Sequence, residues 1–199
     1  MKNIFIEALM DGIKLKSRLQ DKEYTKTFEI IGNVIVKAIK NKKKLLLCGN
    51  GGSAADAQHL AAELLVRLKP SVNRSPIPAI ALAMDTSTIT ACGNDFGFEH
   101  LFERNVLALG HKGDVLICIS TSGKSKNIEL AAKAAKSIGV ITCAFLGDEG
   151  GNLKKICDYS MIIPSSNTAR IQECHIVLGH ALMEFVEEKL LKSKFIEKL

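Results

Sequence analysis

The sequence predicts an α/β fold: a three-layer, doubly wound, mostly parallel five-stranded sheet flanked by helices, with helices ahead of it and a long helix at the C-terminus. Two observations predict it. Five short runs, Leu45 to Cys48, Ala79 to Ala83, Val115 to Ile119, Val140 to Leu146 and Tyr159 to Ile163, are apolar along their length rather than alternating, which marks strands covered on both faces. The stretches between them are mostly helical in pattern, and this alternation builds parallel sheets through right-handed crossovers. At 199 residues and 47% hydrophobic, the chain can fill one such core and is too short for two large ones.

In order along the chain, Ile6, Leu9, Met10 and Ile13, then Ile31, Val34, Ile35, Ala38 and Ile39, recur at the i, i+3, i+4, i+7 spacing of an apolar stripe. Residues 1–42 therefore form a segment of amphipathic helices ahead of the first strand. Further helices are expected over Ser53 to Leu68, Phe98 to Leu109, Lys126 to Ile138 and Ala169 to Lys192, with Gly139 placed to end the third. The segment from Lys69 to Pro78, with prolines at 70, 76 and 78, reads as a surface connection. No repeat or interdomain linker interrupts residues 1–199, which form a single domain on this reading. The last helix carries Ile171, Cys174, Ile176, Val177, Leu178, Ala181, Leu182, Phe185 and Val186 around most of its circumference, so it needs cover on several sides. A small domain can scarcely supply that cover, and a helical interface in a homo-oligomer is expected, with the N-terminal segment taking part.

Composition excludes several classes of function. Glu7 and Asp11 interrupt the apolar residues near the N-terminus, so neither a signal-peptide core nor a membrane span is built there, and a cytoplasmic location is expected. Six cysteines, Cys48, Cys92, Cys118, Cys143, Cys157 and Cys174, lie in apolar segments without C-x-x-C spacing, which suits buried, reduced thiols. The net charge of +6 comes largely from Lys40–Lys44 and the lysines between 189 and 198, which read as solvated faces. Eight Phe, two Tyr and no Trp, none grouped with basic residues, leave no stacking platform for nucleic acid.

Two loops carry the chemistry. Leu45-Leu-Leu-Cys-Gly-Asn-Gly-Gly-Ser53 runs from a strand through a glycine turn into a helix, an arrangement in which backbone N–H groups and the helix dipole gather an anion. Asn50, Gly51, Gly52 and Ser53 are its candidate lining. Gly49, Gly51 and Ala54 also satisfy a dinucleotide fingerprint, so this loop alone leaves a redox reading open. The second loop, Ile119-Ser-Thr-Ser-Gly-Lys-Ser125, sets the hydroxyls of Ser120, Thr121, Ser122 and Ser125 around one glycine. Those hydroxyls suit a phosphomonoester, whereas a turn that merely caps a helix needs one of them. It is not a P-loop, because Cys118 stands where that motif requires glycine.

His59 and Glu63, four apart on the helix that the first loop opens, share a face and can hold one metal or act on one substrate; a surface pair is the plainer alternative. On the final helix Gln172, His175 and His180 interrupt an apolar surface, where polar groups need partners or a purpose. Gln172 and His180 are separated by about 12 Å along the axis, so sharing one metal requires them to stretch toward each other.

Together, GNGGSAADAQHLAAEL, ACGNDFGFE, GDVLICISTSGKSKNI and ARIQECHIVLGH resemble the sequence blocks of bacterial phosphoheptose isomerases, members of the sugar isomerase (SIS) domain superfamily. The resemblance covers roughly Lys44 to Glu187, with the blocks in order. It implies substrate contacts from Asn50, Gly51, Gly52, Glu63, Asn94, Asp95, Ser120, Thr121, Ser122, Ser125 and Gln172, and zinc bound by His59, Glu63, Gln172 and His180. It further implies Glu63 and His180 as catalytic acid and base, a homotetramer, sedoheptulose 7-phosphate as substrate, and a place in heptose and lipopolysaccharide precursor synthesis. A related SIS protein lacks the acid and base and binds the bacterial replication initiator; both residues are present in this chain. Three readings stand at this point: the isomerase, a non-catalytic SIS module binding sugar phosphate or that initiator, and a dinucleotide-dependent oxidoreductase.

Overall fold

The computed structural model describes residues 3–82 and 85–198. Five strands, β1 (Leu45–Gly49), β2 (Ala79–Ala81), β3 (Val115–Ser120), β4 (Ile141–Gly147) and β5 (Tyr159–Ile163), form one sheet. It runs β2-β1-β3-β4-β5, and every neighbouring pair is parallel. This is a doubly wound order whose direction reverses between β1 and β3. The expected β2 strand reached Ala83, which lies outside the described residues.

Side chains alternate between two cores. Leu45, Leu47, Ile117, Ile119 and Phe145 face one layer of helices, α1 (Ile4–Arg18), α2 (Lys22–Lys40), α3 (Gly52–Leu65) and α8 (Thr168–Lys192). Leu46, Cys48, Leu116, Cys118 and Leu146 face the other layer, α4 (Thr86–Asp95), α5 (Leu101–Leu109), α6 (Lys126–Ser137) and α7 (Leu153–Ile156). Strands buried on both sides have no polar face to show, which is why their sequences run apolar without a break. All six cysteines are free and buried in these cores. Burial drives the thiols of Cys143 and Cys174 upward.

Several elements differ from expectation. The third helix stops at Leu65 instead of Leu68, and Phe98–His100 is a separate 3-10 turn ahead of α5. Helix α4, with three Thr among its ten residues, gave no apolar stripe to read; Asp85 caps it by accepting from Thr88 N–H. Gly139 does end α6, at φ +77°. The segment 69–78 is more than a surface connection, because Arg74 and Ile77 within it are buried. Helix α8 is covered within the chain by α1, α2, α3 and the sheet, leaving Val177 exposed and Ala181 beside it. The unpartnered apolar surface lies on α1 instead, where Ile4, Phe5, Ile6, Leu9, Met10 and Ile13 are all exposed.

Helix α8 is tied to the sheet by His175. Its ring is fully buried against Phe145, and Nε2 stands 3.1 Å from the Leu146 carbonyl, so that nitrogen carries the proton and donates. Burial disfavours the charged ring and lowers its pKa to about 4, with the Leu146 bond opposing only in part. An unfolded histidine titrates near 6.5. Between these values the unfolded chain binds a proton that the folded chain does not, so stability rises with pH across the window and falls as pH drops through it. The full swing is on the order of 3 kcal/mol. Denaturant titrations from pH 6.5 down to 4 should show this loss in the parent protein and a shallower slope in His175→Gln; equal slopes would refute the assignment.

Candidate active site

At the point where strand order reverses, the loops after β1 and β3 stand side by side at the C-terminal edge of the sheet, the usual place for a ligand in such folds. Reciprocal amide bonds join them. Asn50 Nδ2 donates to Asn127 Oδ1 at 2.9 Å, and Asn127 Nδ2 donates to Asn50 Oδ1 at 2.8 Å. Asn127 is buried in the first turn of α6, so Asn50 acts as a strut between the loops, with one amide hydrogen and one lone pair still free of these two bonds. Gly51 and Gly52 are exposed at the opening of α3, whereas Ser53 is buried and its N–H donates to the Asn50 carbonyl at 3.0 Å. Ser53 thus closes the turn from beneath.

The hydroxyl loop is held by its own side chains and by a second glycine loop. Ser120 and Ser125 hydroxyls lie 3.2 Å apart, Ser120 Oγ accepts from Gly123 N–H, and Ser122 Oγ accepts from Lys124 N–H. Gly123 and Gly151 both adopt positive φ, at +63° and +53°, and their backbones meet so closely that neither has room for a Cβ. Leu153 N–H donates to the Gly123 carbonyl at 3.1 Å and completes the junction. Thr121 is partly exposed and Ser122 exposed at its tip.

Helices α3 and α8 run alongside each other in the same direction. Near the loop, a Cβ on Gly52 would stand 2.6 Å from Gln172 Nε2; further on, a Cβ on Gly179 would stand 2.5 Å from Leu60 Cδ1. Absent side chains at these two glycines set how closely the helices approach. Flanking the second contact, His59 Nε2 and His180 Nε2 stand 2.7 Å apart, and His59 Nε2 is 3.3 Å from Glu63 Oε1. His59 is half-exposed and Glu63 mostly covered.

The ligand atoms of His59, Glu63 and His180 all lie within 4.8 Å of one another. Donors around one tetrahedral zinc at about 2.1 Å stand roughly 3.4 Å apart, so this nitrogen, oxygen, nitrogen set fits a zinc ion with small adjustments. Gln172 is placed at Gly52, about 10 Å along α3 from His59 by helix geometry. The structure therefore brings three of the four expected ligands together and sets Gln172 at the loop end of the same helix pair. Asn94 and Asp95, exposed at the end of α4, bond to each other at 2.7 Å. Among the described residues no hydrogen bond links either to the two loops.

Three residues that serve this site were missed in the sequence. Asn127 is one, Gly179 another. Asp56 is the third: it precedes His59 by three positions, and a buried oxygen, Oδ2, has no protein partner. Burial raises its pKa, and the charge of the His59 and His180 rings opposes that rise. A carboxylate there can accept the second N–H of a ligand imidazole and fix its tautomer. Where the cluster takes up zinc, Asp56→Ala should weaken that binding by roughly 10- to 100-fold in chelator-competition titrations, while an unchanged affinity would remove Asp56 from the site.

Comparison with known proteins gives the site its context. The SIS domain family matches residues 11–147. The phosphoheptose isomerase of Clostridium acetobutylicum is 48% identical over 99% of this chain and 100% of its own length. A phosphoheptose isomerase structure from Francisella tularensis has a TM-score of 0.88 at 34% identity, covering 92% of this chain and 96% of that one. Its counterpart from Neisseria gonorrhoeae has a TM-score of 0.85 at 38% identity, over 92% of this chain and 97% of that one. Identity sustained along the whole chain, on a shared fold, shows that it belongs to the phosphoheptose isomerase family of SIS domain proteins.

Proposed function

We propose that the chain interconverts sedoheptulose 7-phosphate and D-glycero-D-manno-heptose 7-phosphate in the cytoplasm, supplying heptose for lipopolysaccharide precursors. The observation that carries this reading is the convergence of Glu63 and His180 on one point beside the helix that begins at an anion-type loop. Moving a carbonyl between adjacent carbons requires one proton to leave one carbon and return to the next, while a second moves between the two oxygens. Two positioned groups suffice, and none of the electrons leaves the substrate, so no redox cofactor is called for.

In this scheme Glu63 takes the proton from C1 of the ketose and returns it at C2. His180 passes the oxygen-bound proton from the C1 side to the C2 side. Ser120, Thr121, Ser122 and Ser125 hold the phosphate with Gly51 and Gly52, with further contacts from Asn94, Asp95 and Gln172. Binding energy at the phosphate then orients the reacting end. His59, Glu63 and His180 would hold zinc; Gln172, the fourth donor that the resemblance implies, stands at the Gly52 end of the same helix pair and would have to stretch toward the cluster to join them. Zinc bound there would supply Lewis-acid polarisation of the substrate carbonyl. A carboxylate offers two oxygens, so Glu63 can face His59 with one and the substrate carbon with the other.

The exposed apolar residues of α1 support a homotetramer in which residues 1–42 form part of the interface, since a contiguous apolar patch of this kind marks an interaction surface. Light scattering should give about four times the 21.6 kDa chain mass, and Leu9→Glu combined with Ile13→Glu should lower it. A monomeric parent protein would overturn the tetramer.

Turnover is tested in deuterated water with sedoheptulose 7-phosphate and zinc-loaded protein, followed by NMR. The aldose heptose phosphate should form with deuterium next to the carbonyl. Glu63→Gln should cut kcat by about 100-fold or more with little change in KM. Thermal stabilisation by the sugar phosphate without conversion or exchange would instead indicate a binding module.

A further inference from the structure

Helix α3 ends without the usual devices. Its last turn has no basic residue, and Val66 stands where a glycine would often terminate the helix. The last carbonyls of a helix lack intrahelical donors and carry the negative end of its dipole. Here they are met from outside the helix. Arg74 Nη2 donates to the Glu63 carbonyl at 2.8 Å, and Nη1 donates to the Leu64 carbonyl at 2.7 Å and, more weakly, to the Val66 carbonyl at 3.4 Å. Nη1 also reaches the carbonyl of Ser75 at 3.1 Å. The remaining edge of the guanidinium, Nε, donates to Glu187 Oε2 at 2.8 Å.

Both partners are buried: the Arg74 side chain is 0% exposed and that of Glu187 2%. Glu187 lies on α8, two helical turns beyond His180. One guanidinium therefore spans the two helices that carry the reacting groups, and one of its bonds goes to the backbone of Glu63 itself. The segment that delivers it is anchored in turn, because Ser75 N–H donates to the Glu197 carbonyl and Arg74 bridges to Lys198. Lysine could not replace it: an ammonium is a point charge, without the planar fork that serves several carbonyls and a carboxylate at once.

We propose that Arg74, held by Glu187, is a positioning residue for Glu63, fixing the end of α3 relative to α8 so that Glu63, His59 and His180 converge. The inference rests on the isomerase reading above. It differs from a purely stabilising role in what it affects. Buried ion pairs are often replaceable by apolar residues without loss of stability, so the stability and the geometry can be separated by experiment.

The test compares zinc-free parent protein with Arg74→Lys and with the double variant Arg74→Met, Glu187→Met, each titrated with cobalt(II) alone and then assayed for turnover. Asp114→Asn, at the opposite end of the sheet, serves as the control for simple destabilisation. Expected in both clasp variants are an altered cobalt absorption spectrum, cobalt affinity lower by about tenfold or more, and kcat lower by roughly 10- to 100-fold with KM nearly unchanged. The control should lose thermal stability but keep the parent spectrum and kcat. If a folded clasp variant keeps both, the pair is structural only and the proposal falls. If the double variant does not fold, Arg74→Lys decides by the same readouts, and its failure to fold as well would show that the pair is needed for folding, against a positioning role. A parent protein that neither binds cobalt nor turns over would sink the isomerase reading first, a result distinct from the other two.

Discussion

The packing of Gly179 against Leu60 sets how near α8 lies to α3, and the convergence of His59, Glu63 and His180 depends on that separation. His59 precedes Leu60 and His180 follows Gly179, so the two rings sit on either side of the same close contact. A side chain at Gly179 would have to displace a leucine that is itself fully buried, and well-packed interiors resist such insertions at about 1–3 kcal/mol. The same helix pair is gauged a second time where Gln172 packs on Gly52 and a third time at the guanidinium of Arg74. Three contacts along two parallel helices leave little freedom to slide or splay.

The loops show a comparable economy. At Gly52, Gly123 and Gly151 two backbones, or a backbone and an amide, approach too closely for a Cβ, whereas Gly51 has open space and is called for by its φ of +55°. Asn50 and Asn127 then lock the first loop to the second across the switch point. The site end of the sheet is thus held by amides, hydroxyls and glycines, groups that keep their form near neutral pH. At the other end of the sheet an ion pair does the holding, where Asp114 accepts from Lys44 and from the His111 N–H. Burial raises the Asp114 pKa, but these hydrogen bonds outweigh it and hold the carboxyl below its usual value.

Much of this was legible in the sequence, for reasons that can be stated. Apolar runs such as Leu45 to Cys48 and Val115 to Ile119 reveal a sheet covered on both faces because no residue in them needs water. The loops were legible because glycine and hydroxyl patterns are local, and so was the spacing of His59 and Glu63. Partners distant in sequence were not. Asn127 lies 77 residues from Asn50 and Arg74 113 residues from Glu187, and neither sits in a pattern that points to the other. The stripe on α1 was read correctly as amphipathic, yet period alone does not say whether an apolar face meets its own core or another chain, and here it is exposed.

The chemistry of the His59, Glu63 and His180 cluster follows from lone pairs. With two imidazole nitrogens 2.7 Å apart, only one of them can carry a proton toward the other, and the second must accept it. The Glu63 oxygen 3.3 Å from His59 is a further acceptor at the same point. Such a set of acceptors needs something positive between them, and a proton can satisfy two at a time, whereas a divalent cation can satisfy all three. The scaffold that holds this crowding is buried beside the cluster: Leu60 under Gly179, the ion pair of Arg74 and Glu187, and His175 pinned to Leu146. Stability elsewhere in the fold therefore offsets the cost of holding acceptor beside acceptor. That arrangement keeps a carboxylate and an imidazole close enough to act on adjacent atoms of one substrate.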